Sequence, residues 1–252
     1  MICSYNAQVD TALPFVLLPG MDGTGLLFDD FIAQSPTAFR AVVVAFPRSA
    51  SYDELVESAV DAIPPDGRFL IVAESFSGPI GIRLALRFAD RVAGLVLVNT
   101  FVVPPRPPAL HVLPWSLIFA VPPPRFVVRA LLLDKGASKQ FIDRVRSAIA
   151  RTGADVMTAR LRSVLAVNEV GNLTQLRCPV LLLRATGDRL VSNQSAEVIA
   201  RYAPHSKIGD ILGPHLLLQC RPAEAWRVIE DFVYRTHRNM ARVHFDGSFD
   251  GC

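Results

Sequence analysis

Cysteine is scarce in this chain. Only Cys3, Cys178, Cys220 and Cys252 occur among its 252 residues, with no Cys-x-x-Cys pair and no histidine close by. That spacing excludes the common zinc sites, and scattered thiols suit a reducing compartment, so no metal is expected. Long apolar runs are missing as well. Nothing approaches the roughly twenty residues that a membrane-crossing helix needs, and no membrane span is expected. The opening stretch, MICSYNAQVD, lacks both a basic cluster and an apolar core. It does not read as a secretory signal, and the expected location is cytoplasmic. Charge of one sign is nearly balanced by the other, leaving +3, with no Lys/Arg-rich run and no aromatic-basic interleaving. A nucleic-acid partner is therefore not expected. Apolar residues make up 51% of the chain against 19% charged. That balance supports a substantial core in one large domain, or a core with an insertion, and argues against disorder.

The apolar residues come in short runs that alternate with helical spacing. Strands are expected at Phe15 to Leu18, Ala41 to Phe46, Phe69 to Ala73, Ala93 to Val98, Pro179 to Ala185 and Lys207 to Leu212. Continuous, non-alternating strands belong inside a parallel sheet covered on both faces. Helices are expected between them: around Leu26 to Ile32, after Ser51, after Ser75, and from Ser192 to Tyr202. Ser51 with Glu54 three residues on has the form of a capping box. The last helix begins near Pro222, where the first turn tolerates proline, and buries Ala225, Ile229, Phe232 and Val233. From about Thr236 the pattern is lost, and a loose tail is expected.

The alternation breaks at Phe101. A proline-rich apolar stretch leads to three helical patterns, around Arg125 to Leu133, Lys139 to Ile149 and Ala154 to Val167, with no strand between them. These describe a helical cap inserted after the fourth strand. The expected division is 1–100 and 177–235 for the core, 101–176 for the cap, and 236–252 for the tail. The fold class is α/β, a mostly parallel, doubly wound sheet.

The third strand ends abruptly at Glu74-Ser75-Phe76-Ser77-Gly78, and helical spacing (Ile80, Leu84, Phe88) starts at once. A serine on a sharp strand-to-helix turn is a nucleophile elbow, usually written Gly-x-Ser-x-Gly. Ala73 and Ser77 take the glycine positions, and both are small. A serine after a strand also serves as a helix N-cap, so the motif leaves two readings open. A serine hydroxyl needs a base, and the base needs an acid to orient it. Asp188, in the Gly-Asp turn after the fifth strand, is the acid candidate, and is equally readable as a turn aspartate. His215, in Gly213-Pro214-His215, is the base candidate, and is also readable as a buried polar residue. His111, His205, His237 and His244 fall in connections, the cap or the tail. Asp210 is the second choice of acid but lies inside a strand pattern. Ser77 is expected to bond locally. Acyl transfer also needs backbone N–H groups for the oxyanion. The residue after the serine, Phe76, offers one. The glycine-containing loop Leu17 to Gly25, LLPGMDGTG, offers another at Met21. That loop matches neither GxxxxGK[ST] nor GxGxxG, which excludes the common phosphate loops.

Taken together, LLPGMDGTG, VAESFSGPIG, ATGDRLV and GPHLLLQ resemble the α/β-hydrolase superfamily, in the group of small cap-containing esterases and lipase-like enzymes. The likeness runs from about Phe15 to Tyr234. It implies a Ser75-Asp188-His215 triad in that chain order, an oxyanion hole at Met21 and Phe76, a ping-pong acyl-enzyme mechanism, and no metal or organic cofactor. Ser75 stands where dehalogenases and epoxide hydrolases carry aspartate, which argues against both. Pro19 replaces the usual histidine of the oxyanion loop, a side chain that a backbone donor does not require. Too few residues precede Phe15 for the usual N-terminal hairpin, so that hairpin is expected to be shortened or absent. The expected substrate is a small-molecule ester or thioester. Apolar cap residues (Val112, Leu113, Trp115, Leu117, Ile118, Phe119, Phe126, Leu131, Leu132) favour an apolar acyl group. Arg106, Arg125 and Arg129 leave room for a thioesterase or an acyltransferase using carrier-bound acyl groups. A non-catalytic hydrolase-fold binder of a small apolar ligand is the remaining alternative.

Overall fold

Alternating apolar side chains decide which face of the sheet each helix covers. The computed structural model describes residues 12–105 and 114–246, with side chains to residue 236. Its strands are β1 Leu13–Leu18, β2 Phe39–Val43, β3 Phe69–Glu74, β4 Val92–Val98, β5 Val180–Ala185 and β6 Lys207–Ile211. They form one open sheet in the order β2-β1-β3-β4-β5-β6, and every neighbouring pair is parallel. Every residue of β3 and β4 is buried, as central strands covered on both faces should be. Successive residues point to opposite faces. Val16, Leu18, Ile71, Ala73, Leu95 and Leu97 thus meet one set of helices. Phe15, Leu17, Leu70, Val72, Val96 and Val98 meet the other.

The helices before the fifth strand are α1 Asp29–Ala33, α2 Tyr52–Val60, α3 Gly78–Arg87, α4 Trp115–Phe119, α5 Arg125–Leu132, α6 Lys139–Thr152, α7 Ala154–Ala166 and α8 Val170–Leu173. After it come α9 Asn193–Tyr202, α10 Leu217–Cys220 and α11 Pro222–Asp246. Helices α2, α3 and α9 cover the first face with Leu55, Ile80, Leu84 and Ile199. Helices α1 and α11 cover the second, where the Trp226 ring stacks on Phe31 at 4.5 Å and meets Phe15 edge-on at 5.1 Å. The indole N–H donates to the Phe31 carbonyl at 2.7 Å, which keeps the buried polar edge satisfied. A third cluster (Val128, Leu133, Ile142, Val145, Ala148) joins α5 and α6 to Leu27 and Leu216 in the loops at the rim of the sheet. No described helix is long and apolar enough to cross a membrane.

Some boundaries differ from expectation. Strand β2 starts at Phe39 and stops at Val43, because the chain then turns away and Phe46 donates its N–H to the Gly23 carbonyl at 2.8 Å. The apolar run to Phe46 therefore continues into packing, not into the sheet. Helices α4 and α8 are too short to show a period. Helix α11 runs to Asp246, past Thr236 where a loose tail was expected. Thr236 to Asp246 contains no glycine or proline, so nothing in the sequence breaks the helix there. β1 is the first strand among the described residues. Arg106, His111, Val112 and Leu113, together with Cys3 and Cys252, lie outside the described residues, as do the side chains of His237 and His244.

Candidate active site

Parallel strands bring their C-terminal ends to one rim, and each loop there contributes a polar group. After β3 comes Ser75, in a short turn of 3-10 helix spanning Ser75–Ser77 that leads into α3. Its φ is +52°, a conformation that costs a non-glycine residue energy and persists only when its surroundings impose it. The surroundings do so. Thr100 donates its hydroxyl to the Ser75 carbonyl. A Cβ on Gly78 would lie 2.0 Å from Thr100 Oγ1, and one on Gly81 would lie 2.7 Å from Ala73 Cβ. Small residues are needed on this turn for that reason. Ser75 caps no helix: its Oγ lies 2.9 Å from Nε2 of His215. Ser77 is fully buried, and its hydroxyl donates to the Pro19 carbonyl. That bond joins the elbow to the loop after β1 and corrects the expectation of a local contact.

His215 follows β6 and is 4% exposed. Its Nδ1 lies 2.7 Å from Asp188 Oδ2. Asp188 follows β5, and its Oδ1 accepts the N–H groups of Leu190 at 2.7 Å and Val191 at 3.0 Å. The two loops are themselves tied together. Thr186 donates to the Ile211 carbonyl at 2.9 Å and Gly187 to the Gly213 carbonyl at 3.1 Å. A Cβ on Gly187 would come within 2.8 Å of that Gly213 oxygen, so only glycine allows the approach. Asp210 is held elsewhere, in a two-pronged pair with Arg184 at 2.7 and 2.8 Å.

Asn99 escaped the sequence reading. It follows β4 with φ +45°, a region asparagine tolerates better than most residues. Its buried amide donates to the His215 carbonyl at 2.7 Å and accepts the Ala185 N–H at 2.7 Å. One side chain thus fixes the end of β5 against the histidine loop. The visible signal was only a lone asparagine at a strand end.

The loop after β1 makes a tight turn in which Gly23 donates to the Gly20 carbonyl at 2.9 Å, with Met21 and Asp22 at its corner. Gly23 has φ +70°. Asp22 accepts from the Thr24 backbone at 2.9 Å. Burial pushes the Asp22 carboxyl above the usual range, against the hydrogen bonds from Thr24 and the nearby Arg160 charge. Phe76 is buried, its ring stacked on Tyr52 at 5.0 Å. Among the described residues no group of three or more His, Cys, Asp or Glu could hold a metal ion.

A profile of the alpha/beta hydrolase family matches residues 15–226. The chain belongs to that family. Solved structures agree on the fold. A thermophilic esterase from Thermogutta terrifontis is 20% identical, with a TM-score of 0.74 over 90% of this chain and 91% of that one. The enol-lactonase from Burkholderia xenovorans LB400 is 15% identical, with a TM-score of 0.76 over 88% and 92%. The bromoperoxidase from Bacillus anthracis is also 15% identical, with a TM-score of 0.72 over 89% and 92%. At such identities the likeness is one of fold, and these proteins are named for different activities. No curated protein matches the chain in sequence.

This alpha/beta hydrolase carries a second buried carboxyl beside the serine. Glu74, 2% exposed, accepts from Gln219 Nε2 at 3.0 Å through Oε2. Its Oε1 and the Gln219 Oε1 have no partner among the described residues. Two orphan oxygens on one facing pair are relieved if a proton sits on the carboxyl. Burial pushes Glu74 up to about 7, opposed by the Gln219 bond and the nearby His215 ring and reinforced by Asp22 and Asp188. A carboxyl raised by folding binds its proton more tightly in the native state. Its effect is therefore neutral below its ordinary value of 4.5, and stability falls as pH climbs to about 7. The loss above that pH is on the order of 3 kcal/mol. Glu74→Gln mimics the protonated form, and can both donate to and accept from Gln219. Melting temperatures should show the variant more stable than the parent at pH 8, with the gap closing by pH 5. A gap independent of pH would contradict a protonated Glu74.

Proposed function

We propose that this hydrolase cleaves carboxylic esters of apolar acyl groups through an acyl-enzyme intermediate. The observation that carries the reading is the unbroken relay from Ser75 Oγ to His215 Nε2 at 2.9 Å and from Nδ1 to Asp188 at 2.7 Å, with the serine held at positive φ. Ser75 Oγ attacks the ester carbonyl carbon as its proton passes to His215 Nε2. The carbonyl electron pair moves to oxygen, and the N–H groups of Met21 and Phe76 stabilise the charge. Collapse expels the alkoxide, which takes the proton from Nε2 and leaves acyl-Ser75. Water then repeats both steps and frees the acid. Asp188 holds the imidazole in the tautomer that these transfers need and offsets the charge it acquires.

In this reading residues 101–176 serve as a cap over the rim. Exposed Leu117, Ile118, Val121, Phe126 and Leu131 support an apolar acyl pocket. A thioesterase reading finds support in a cavity of about 610 Å³ beside the Asp188 and His215 loops. Phe126, Leu133 and Leu212 line it together with Arg129, Lys135 and Arg189. Arg125 is not available to it, being paired with Asp143 at 2.6 and 2.8 Å.

The test is turnover of p-nitrophenyl esters from acetate upward, alongside matched acyl thioesters. Each methylene buried should raise kcat/KM by about 4-fold until the pocket fills, from about 0.8 kcal/mol per CH₂. A preference for thioesters at equal chain length would favour the thioesterase. No turnover of any ester or thioester would favour a non-catalytic binder.

A further inference from the structure

Arg160 is the largest fully buried side chain among the described residues, at 1% exposure, and it lies outside the relay. It projects from α7, within the segment between β4 and β5. All three guanidinium nitrogens donate to backbone carbonyls: Nε to Ser49 at 2.9 Å, Nη1 to Met21 at 2.9 Å, and Nη2 to Pro47 at 2.8 Å. The guanidinium carbon lies 5.8 Å from the Phe46 ring centroid and 5.7 Å from that of Phe76. Among the described residues no carboxylate pairs with it directly, and burial lowers its affinity for the proton while Asp22 works the other way. An arginine stays charged in such a place. Burying a charge is costly, and carbonyl dipoles and ring faces are its compensation.

The bond to Met21 has a geometric consequence. A trans peptide is planar, so the Met21 N–H shares a plane with the Gly20 carbonyl. Gly23 holds that carbonyl at 2.9 Å. The next plane contains the Met21 carbonyl, held by Arg160. Both peptides that flank Met21 are therefore fixed, and with them the direction of its N–H. Neighbouring contacts support the same loop. Thr152 at the end of α6 donates to the Asp22 carbonyl at 2.6 Å, and Arg144 donates to the Leu26 carbonyl at 3.2 Å. The loop has also made room: a Cβ on Gly23 would sit 2.2 Å from Arg160 Nη1.

We propose that Arg160 is a positioning residue that aims the Met21 N–H at the oxyanion, so that α7 completes the acyl-transfer site. The inference rests on the proposed reading of Met21 as an oxyanion donor. Removing one such donor costs about 10²- to 10³-fold in kcat. Arg160→Met should therefore lose on the order of 10²-fold in kcat with KM little changed. Arg160→Lys, which keeps the charge but not the three-way fork, should fall between that and the parent. The decisive readout is an alkyl trifluoromethyl ketone, whose hemiketal with Ser75 carries the oxyanion. Its Ki should rise in proportion to the loss of kcat/KM, while KM for the neutral ester stays nearly constant. A purely structural role would lower the melting temperature and leave Ki unmoved at temperatures where the variant is folded. Thr152→Val, which loosens the same turn, is measured in parallel in case Arg160→Met does not fold. It should move kcat and Ki together by a smaller factor. Unchanged ketone affinity in the folded variants overturns the inference. A parent that hydrolyses no ester overturns the functional reading itself, and the two failures are separately visible.

Discussion

Replacing Ser75 by alanine should lower kcat for p-nitrophenyl esters by at least about 10³-fold and by as much as about 10⁶-fold. The variant should fold as the parent does, because one exposed-side hydroxyl is lost and no cavity is opened. Alanine bears the same strain at φ +52°, so the backbone argument is unchanged. What disappears is the atom 2.9 Å from His215 Nε2. No neighbour can take its place. Ser77 is the nearest hydroxyl in sequence, but it is fully buried and committed to the Pro19 carbonyl. Burial pushes the Cys178 thiol up to about 11 and that of Cys220 to about 12, so neither supplies thiolate at neutral pH. The measurement is steady-state turnover of purified parent and variant, with a melting curve to establish folding. Turnover by Ser75→Ala within tenfold of the parent would remove Ser75 from the mechanism.

Much of this arrangement was legible in the sequence because it follows from local pattern. An uninterrupted apolar run such as Phe69 to Ala73 reads as a buried strand, and such strands lie parallel with their ends aligned. Loops after successive strands then share a rim, which makes Ser75, Asp188 and His215 neighbours despite their separation along the chain. What stayed hidden depends on pairing between distant residues that are individually ordinary. Asn99 looks like any asparagine at a strand end until Ala185 and His215 are known to flank it. Glu74 occupies a variable position in the elbow, and only the approach of Gln219 makes its carboxyl unusual. Arg160 shares its helix with Arg162, and nothing local distinguishes the one that turns inward. Helix α11 runs on to Asp246 where a tail was expected, because a loss of periodicity does not by itself end a helix over a stretch that contains no glycine or proline.

Asp188→Asn should cost about 10⁴-fold in kcat, although it changes neither volume nor shape. The reason lies in the partners of the two carboxylate oxygens. Oδ1 accepts two backbone N–H groups, from Leu190 at 2.7 Å and Val191 at 3.0 Å. An amide NH₂ placed there would confront two donors, so asparagine must keep its oxygen on that side. Its NH₂ then occupies the place of Oδ2, 2.7 Å from His215 Nδ1. A donor facing Nδ1 selects the tautomer with the proton on Nε2. That nitrogen points at Ser75, and once protonated it cannot take the serine proton. The variant thus keeps every contact and reverses one hydrogen bond. Nitrogen NMR of ¹⁵N-labelled histidine reads the tautomer directly, and should show the proton moved from Nδ1 to Nε2 alongside the loss of turnover. A variant with the altered tautomer and parental kcat would show that His215 does not act as the base. Parental tautomer and parental kcat together would show that Asp188 does not orient it.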